Sequence, residues 1–197
     1  MEVNRTALHH FLRTSTSITP EIIHFLTTVT QQVIQCEPSA NSGCRDKDNK
    51  EDLPSLPTFI SSVITNSHVP ISTLLTSTIY LTRLQSRLPA DARGMRCTAH
   101  RIFLSCLILA AKNHNDAHPF NRQWAKYTRI SSTSSSGDMK NGKGFPGFSL
   151  RDVNLMERQL LFLLAWDLRV TEDQLMACLE PFLLPVREAI LLDLAEW

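Results

Sequence analysis

Glycine is scarce in this chain: 6 residues among 197. Phosphate-cradling loops use glycine to bring backbone close to the ligand, and GxxxxGK[ST] does not occur. GxSxG is also missing, so no strained turn presents a serine nucleophile. The five cysteines, Cys36, Cys44, Cys97, Cys106 and Cys178, are odd in number and include no CxxC. They read as reduced thiols of an intracellular protein rather than a disulfide framework. The opening MEVNRTALHHFLRTS holds no apolar run, so no secretory signal is expected. Charge of one sign is missing too. Lysine plus arginine number 20 and aspartate plus glutamate 19, a net +1. No global field points to a membrane or to nucleic acid. No Lys/Arg-rich run marks a nuclear address, so the expected compartment is nucleus, cytoplasm or both. Leu53 to Thr82 lacks charge altogether. Its serines and threonines, and the breaks at Pro54, Pro57 and Pro70, exclude one membrane-spanning helix of about 20 apolar residues.

What is present is hydrophobic and helical. Hydrophobic residues make up 43% of the chain, enough for a substantial core. Thr19-Pro20-Glu21 reads as a helix start, with Ile22, Phe25, Leu26, Val29 and Val33 following at helical spacing. A polar linker follows Cys36. Leu56 to Thr65 predicts a short helix, and Pro70 opens another that Pro89 ends. Met95 to Asn113 is apolar on nearly every side, which marks a helix buried all round and hence central. His118 to Tyr127 predicts a shorter helix in which Phe120, Trp124 and Tyr127 form a packing stripe. Ser149-x-x-Asp152 resembles a capping box, opening a second core helix through Leu155, Met156, Leu160, Phe162, Leu163 and Trp166. Thr171-x-x-Gln174 caps a further helix, and Pro185 to Trp197 reads as the last. No convincing strand or repeat is legible, so the expected class is all-α.

The expected divisions are a flexible tail at 1–17, a helix at 18–36, a linker at 37–52, a helical domain at 53–168 and C-terminal helices at 169–197. A Ser/Gly/Lys-rich insertion interrupts the domain at 129–147.

Two charges sit oddly at the edges of leucine-rich helices: Lys112 in IFLSCLILAAK and Glu157 in NLMERQLLFLL. Each alone suits its helix end, because a cation complements the C-terminal dipole and an acid the early turns. Together they could pair with each other or face another protein, since an unpaired charge in apolar surroundings is costly. Other constellations carry less. His114-x-Asp116-x-His118 offers metal-ligand types, but its spacing fits no single helix face, so Asp116 is expected to pair with Lys112 or cap the next helix. Cys106 lies within an apolar helix and is no candidate nucleophile. Residues 83–129 carry a local charge of +7 and residues 171–197 one of −5, an asymmetry that can steer a partner. Neither a metal nor a cofactor is expected, and no enzymatic activity.

The segments HRIFLSCLILAAKNHNDAHPFNRQWAKYT and FSLRDVNLMERQLLFLLAWDLRV resemble the cyclin box of fungal cyclins of the Pcl, or PHO, class. ITPEIIHFLTTVTQQVI is similar to that class's N-terminal helix, and LPTFISSVITNSHVPISTLLTSTIYLTRLQSRLP to its first two box helices. The resemblance implies a five-helix cyclin box with flanking helices. It implies a non-enzymatic regulatory subunit that binds a cyclin-dependent kinase of the phosphate-pathway type, with protein substrates reached through that kinase. Cyclins contact the kinase through a lysine ending the third box helix and a glutamate in the fifth. The matching positions are Lys112 and Glu157, with Asn113, Arg158 and Leu161 as further expected contacts. The segment before the second helix shows nothing like the MRAIL docking patch of mitotic and S-phase cyclins. The competing reading is a cyclin-fold adaptor for nucleic acid or peptide, supported only by the basic 83–129 stretch.

Overall fold

The computed structural model describes residues 19–36, 53–114, 118–131, 144–178 and 180. The expected tail, the linker at 37–52 and the final helix from Pro185 lie outside these residues. So does Asp116. Six helices are placed: α1 (Pro20–Val33), α2 (Leu56–Ser67), α3 (Ile71–Arg87), α4 (Thr98–His114), α5 (Asn121–Tyr127) and α6 (Leu150–Leu163). Residues 172–178 are also helical.

Helix α4 is the axis of the bundle. Its buried residues are Ala99, His100 and the unbroken run Phe103–Ala111, and α3, α6, α1 and α2 all pack on it. The apolar run around every side therefore means what it suggested. Helix α3 reaches the same interior by a different route. It buries Thr73, Thr76, Ser77 and Thr78 beside Leu74, Ile79, Tyr80 and Leu81. A buried hydroxyl needs a partner. Ser77 and Thr78 give theirs to the Leu74 carbonyl at 2.6 and 3.1 Å, and Thr76 meets His114 Nε2 at 2.5 Å. The uncharged Leu53–Thr82 stretch is thus a core segment whose buried hydroxyls bond within their own helix, as Ser77 and Thr78 do, or to α4, as Thr76 does.

Local signals fix most helix starts. Ser149 and Asp152 form the reciprocal capping box, with Asp152 N donating to Ser149 Oγ at 3.1 Å and Ser149 N to Asp152 Oδ2 at 3.2 Å. Thr171 and Gln174 bond the same way. Pro20 opens α1, where Thr19 holds the N-cap position without a side-chain capping bond.

Strand pairing is present where none was legible. Strand β1 (Gln35–Cys36) runs parallel to β2 (Arg93–Gly94), tying the end of α1 to the entry of α4. Two residues carry no alternation to read. An antiparallel bridge joins Ile130 to Phe145, inside the span expected to be insertion. Phe145 stacks edge-to-face on Phe148 and Phe59, so this flank is built into the core. Gly147 makes the junction possible. Its φ is 85°, and a Cβ there would come within 2.6 Å of Thr128 Oγ1. That hydroxyl accepts from Phe148 N at 2.9 Å.

His100 carries a pH dependence. Its Nε2 donates to the Pro54 carbonyl at 2.9 Å, its Nδ1 is buried without a partner, and its ring meets Phe59 edge-on. Burial holds the imidazole below its ordinary 6.5, outweighing the pull of the Pro54 carbonyl. The unfolded chain takes up a proton that the folded chain resists. Stability from this site is therefore full above pH 6.5 and is lost as pH falls below it. Melting temperature should drop between about pH 7 and 5, and His100→Gln should flatten that slope. An unchanged slope in the variant would assign the effect elsewhere.

Candidate functional site

The two opposed charges meet. Lys112, in the last turn of α4, donates from Nζ to Glu157 Oε1 at 2.5 Å. Neither side chain is open: Lys112 is 27% exposed and Glu157 15%. The second carboxylate oxygen, Oε2, accepts from Asn121 Nδ2 at 2.6 Å. The same Nδ2 donates to Asn154 Oδ1 at 2.8 Å, and two acceptors on one side fix the orientation of the amide. Asn121 Oδ1 is buried with no partner. Three helices thus converge on one carboxylate: α4 gives the cation, α5 the amide and α6 the acid. A half-buried carboxylate bonded at both oxygens is held in one place, which a free surface pair is not.

The other expected contacts distribute around it. Asn113 is exposed beside Lys112 and reaches the Leu168 carbonyl at 3.4 Å. Leu161, one turn on from Glu157, is half-buried against the Tyr80, Leu84 and Leu109 cluster. Arg158 is exposed on the outer side of α6 and has no ion pair with the other described residues. Lys112 therefore pairs with Glu157 across helices. In the His114-x-Asp116-x-His118 pattern, from which no metal site was expected, His114 bonds Thr76, and Asp116 lies outside the described residues.

Aromatic residues of α5 and of the end of α6 correct the expected packing. Phe120 is 72% exposed, so only Trp124 and Tyr127 of that stripe pack, edge-to-face at 5.7 Å. Phe120 precedes Asn121 at the start of α5. Trp166 is 70% exposed rather than a core residue, and Leu155, Phe162 and Leu163 also face outward. The buried stripe of α6 is complete with Val153, Met156 and Leu160, and Leu164 continues it past the helix end. The others are surplus to it, and that surplus was the overlooked signal.

The chain leaves α6 through an unusual turn. Ala165 and Trp166 both adopt positive φ, 49° and 60°. Trp166 N donates back to the Leu161 carbonyl at 3.0 Å, and Ala165 N to Phe162 at 2.9 Å. A left-handed non-glycine residue costs about 1–2 kcal/mol. Side chains of α3 hold the turn from outside. Arg83 bonds the Asp167 carbonyl and reaches the Arg169 carbonyl at 2.9 Å, and Arg87 pairs with Asp167 at 3.2 Å. Tyr80 donates to the Leu168 carbonyl at 2.9 Å. Burial raises the Tyr80 phenol to about 12, so it remains a donor at any ordinary pH. Ala165→Gly removes one strained Cβ at an exposed position. It should raise unfolding free energy by about 1 kcal/mol in a urea titration; a loss of stability would contradict the strain.

Elsewhere the chemistry is muted. Burial drives the Cys106 thiol up, so it stays protonated and inert. Among the described residues no helix is long and apolar enough to cross a membrane, and no group of three or more His, Cys, Asp or Glu side chains could hold a metal.

Residues 21–169 match the family described as the cyclin N-terminal domain. The chain belongs to the cyclin family. Helices α1 to α6 fall almost wholly within the matched residues, and the class is all-α. PHO85 cyclin-1 of Saccharomyces cerevisiae is 44% identical to this cyclin over 186 residues, 92% of this chain and 59% of that protein. PHO85 cyclin-9 of the same yeast is 37% identical over 178 residues, 89% of this chain and 51% of that protein. PHO85 cyclin-2 is 37% identical over 185 residues, 94% of this chain and 53% of that protein. The cyclin thus spans 51–59% of the length of these relatives. The likeness is to the Pcl class expected from the box segments.

Proposed function

We propose that this cyclin is a non-catalytic regulatory subunit that binds and activates a cyclin-dependent kinase of the phosphate-pathway type, in the nucleus or cytoplasm. The observation that carries the reading is the Lys112–Glu157 pair, clamped by Asn121, on a box that also exposes Phe120 and Trp166. Anchored charge and exposed aromatic surface are what a specific protein interface needs. Similarity to three PHO85 cyclins supports a kinase of that type as partner. The contacts are Lys112, Glu157, Asn113, Arg158 and Leu161, to which the geometry adds Phe120 and Trp166.

The mechanism is a population shift. A kinase is active when the glutamate of its mobile C-helix reaches the strand lysine that holds the ATP phosphates. A cyclin that binds only the helix-in form moves that equilibrium by its differential affinity for the two forms. The rigid α4 axis behind Lys112 suits this work, because a site on a packed element keeps its geometry. Protein substrates are reached through the kinase.

The test is reconstitution. The cyclin, mixed with a purified kinase of this type, should elute with it as a one-to-one complex and stimulate phosphorylation of a protein substrate. A folded cyclin that neither co-elutes nor stimulates would sink the proposal.

A further inference from the structure

The outer face of α6 is apolar and is not covered by the other described residues. Leu155 and Leu163 are each 45% exposed and Phe162 is 81% exposed. They surround Gln159, and Arg151 lies at the rim beside Leu155. This strip differs from the one that carries Glu157. At about 100° per residue, Leu155 and Phe162 point nearly together, while Glu157 and Leu161 lie more than 90° away toward α4. Contiguous exposed apolar surface with a polar rim marks a docking site.

The chain itself holds a matching segment. From Pro185 to Trp197, Val186, Ile190, Leu194 and Trp197 recur at helical spacing. Thirteen residues form a helix of about 20 Å, and the 14 residues of α6 span about 21 Å. Residues 181–197 carry Glu188, Asp193 and Glu196 against Arg187, a net −2, opposite in sign to Arg151. The tether is short. Residues 172–178 already lie beside α3, where Arg83 contacts Gln174 at 3.5 Å and also bonds the Asp167 carbonyl just past α6. Residue 180 is still helical, so the tether is the four residues 181–184, which can extend by up to about 14 Å.

We infer that residues 185–197 dock as an amphipathic helix along the outer face of α6, seating Val186, Ile190 and Leu194 on Leu155, Phe162 and Leu163. The docking is intramolecular and leaves the Lys112–Glu157 edge open. Tethering keeps the local concentration of the segment high, so a modest apolar contact suffices.

Hydrogen exchange of the full chain tests it, using wild type, Phe162→Asp and Ile190→Asp. Both changes fall outside the described core, so the box remains a folded reference. Amides of 185–197 should exchange at least about tenfold more slowly than an unstructured chain, and Phe162→Asp should abolish that protection. Reciprocally, Ile190→Asp should speed exchange in the outer turns of α6. A segment that is unprotected in wild type, or indifferent to Phe162→Asp, overturns the inference. Protection that rises with protein concentration assigns the face to a second copy and overturns it too. Protection of α6 that requires added kinase assigns the face to the kinase, with the same consequence.

Discussion

Phe103→Ala should lower unfolding free energy by about 3–5 kcal/mol. The side chain is fully buried at the axis of the bundle, in one cluster with Phe59, Ile60, Leu104, Leu107 and Trp124. Removing the ring forfeits its transfer energy and leaves a cavity that neighbours on four helices cannot jointly close. Domains of this size hold only about 5–15 kcal/mol in total, so the variant should be marginal at physiological temperature. Urea titration by circular dichroism gives the number. A midpoint near wild type with an unchanged slope would mean that α4 is not the axis described. Phe162→Ala supplies the contrast. That ring is equally large and sits on a helix of the same core, but it is 81% exposed, so the box itself should lose little from its removal.

Glu157→Ala should weaken kinase binding by about 2–5 kcal/mol, roughly thirtyfold to several thousandfold in Kd. The loss has two sources. Kinase groups lose a carboxylate presented at a fixed position, and Lys112 and Asn121 lose the acceptor that orders both. Lys112→Ala should cost a similar amount for the same reason. In the double variant the two losses should fall short of their sum, because the residues act as one unit. That shortfall measures how much of the pair's energy is internal. Arg158→Ala provides the scale. As an exposed charge it should change affinity by about 1 kcal/mol or less. Calorimetric titration at fixed salt separates these cases. If Lys112→Ala and Glu157→Ala both bound like wild type while fully folded, the interface would lie elsewhere on the box.

Much of this architecture can be read from local chemistry. Ser149 and Asp152 announce α6, Thr171 and Gln174 the turn after it, and the uninterrupted apolar run of α4 announces its central position. These signals are short-range, and they survive whatever the rest of the chain does. Long-range features are harder to see. Asn121 looks like any polar residue at a helix start, yet its amide crosses 36 positions to Glu157. The β1–β2 pair is defined by where α1 and α4 happen to bring Cys36 and Gly94. Trp166 was misread for a different reason. Its spacing continues the α6 pattern, but the left-handed turn at Ala165 ends the helix three residues earlier and swings the indole outward. The opposed charges of Lys112 and Glu157 were visible as an anomaly. Their pairing needed two helix ends 45 positions apart to meet.

The bridge between Ile130 and Phe145 holds together the two points from which residues 132–143 depart. Hydrogen bonding and the aromatic contacts of Phe145 close the loop at its base, so the length of chain beyond the closure enters stability only through loop entropy. Doubling such a loop costs about 0.6 kcal/mol. Residues 132–143 are therefore a port. A fluorescent reporter or an affinity handle can be spliced in there without passing strain to the Lys112–Glu157 edge, which gives this cyclin a built-in place for readout.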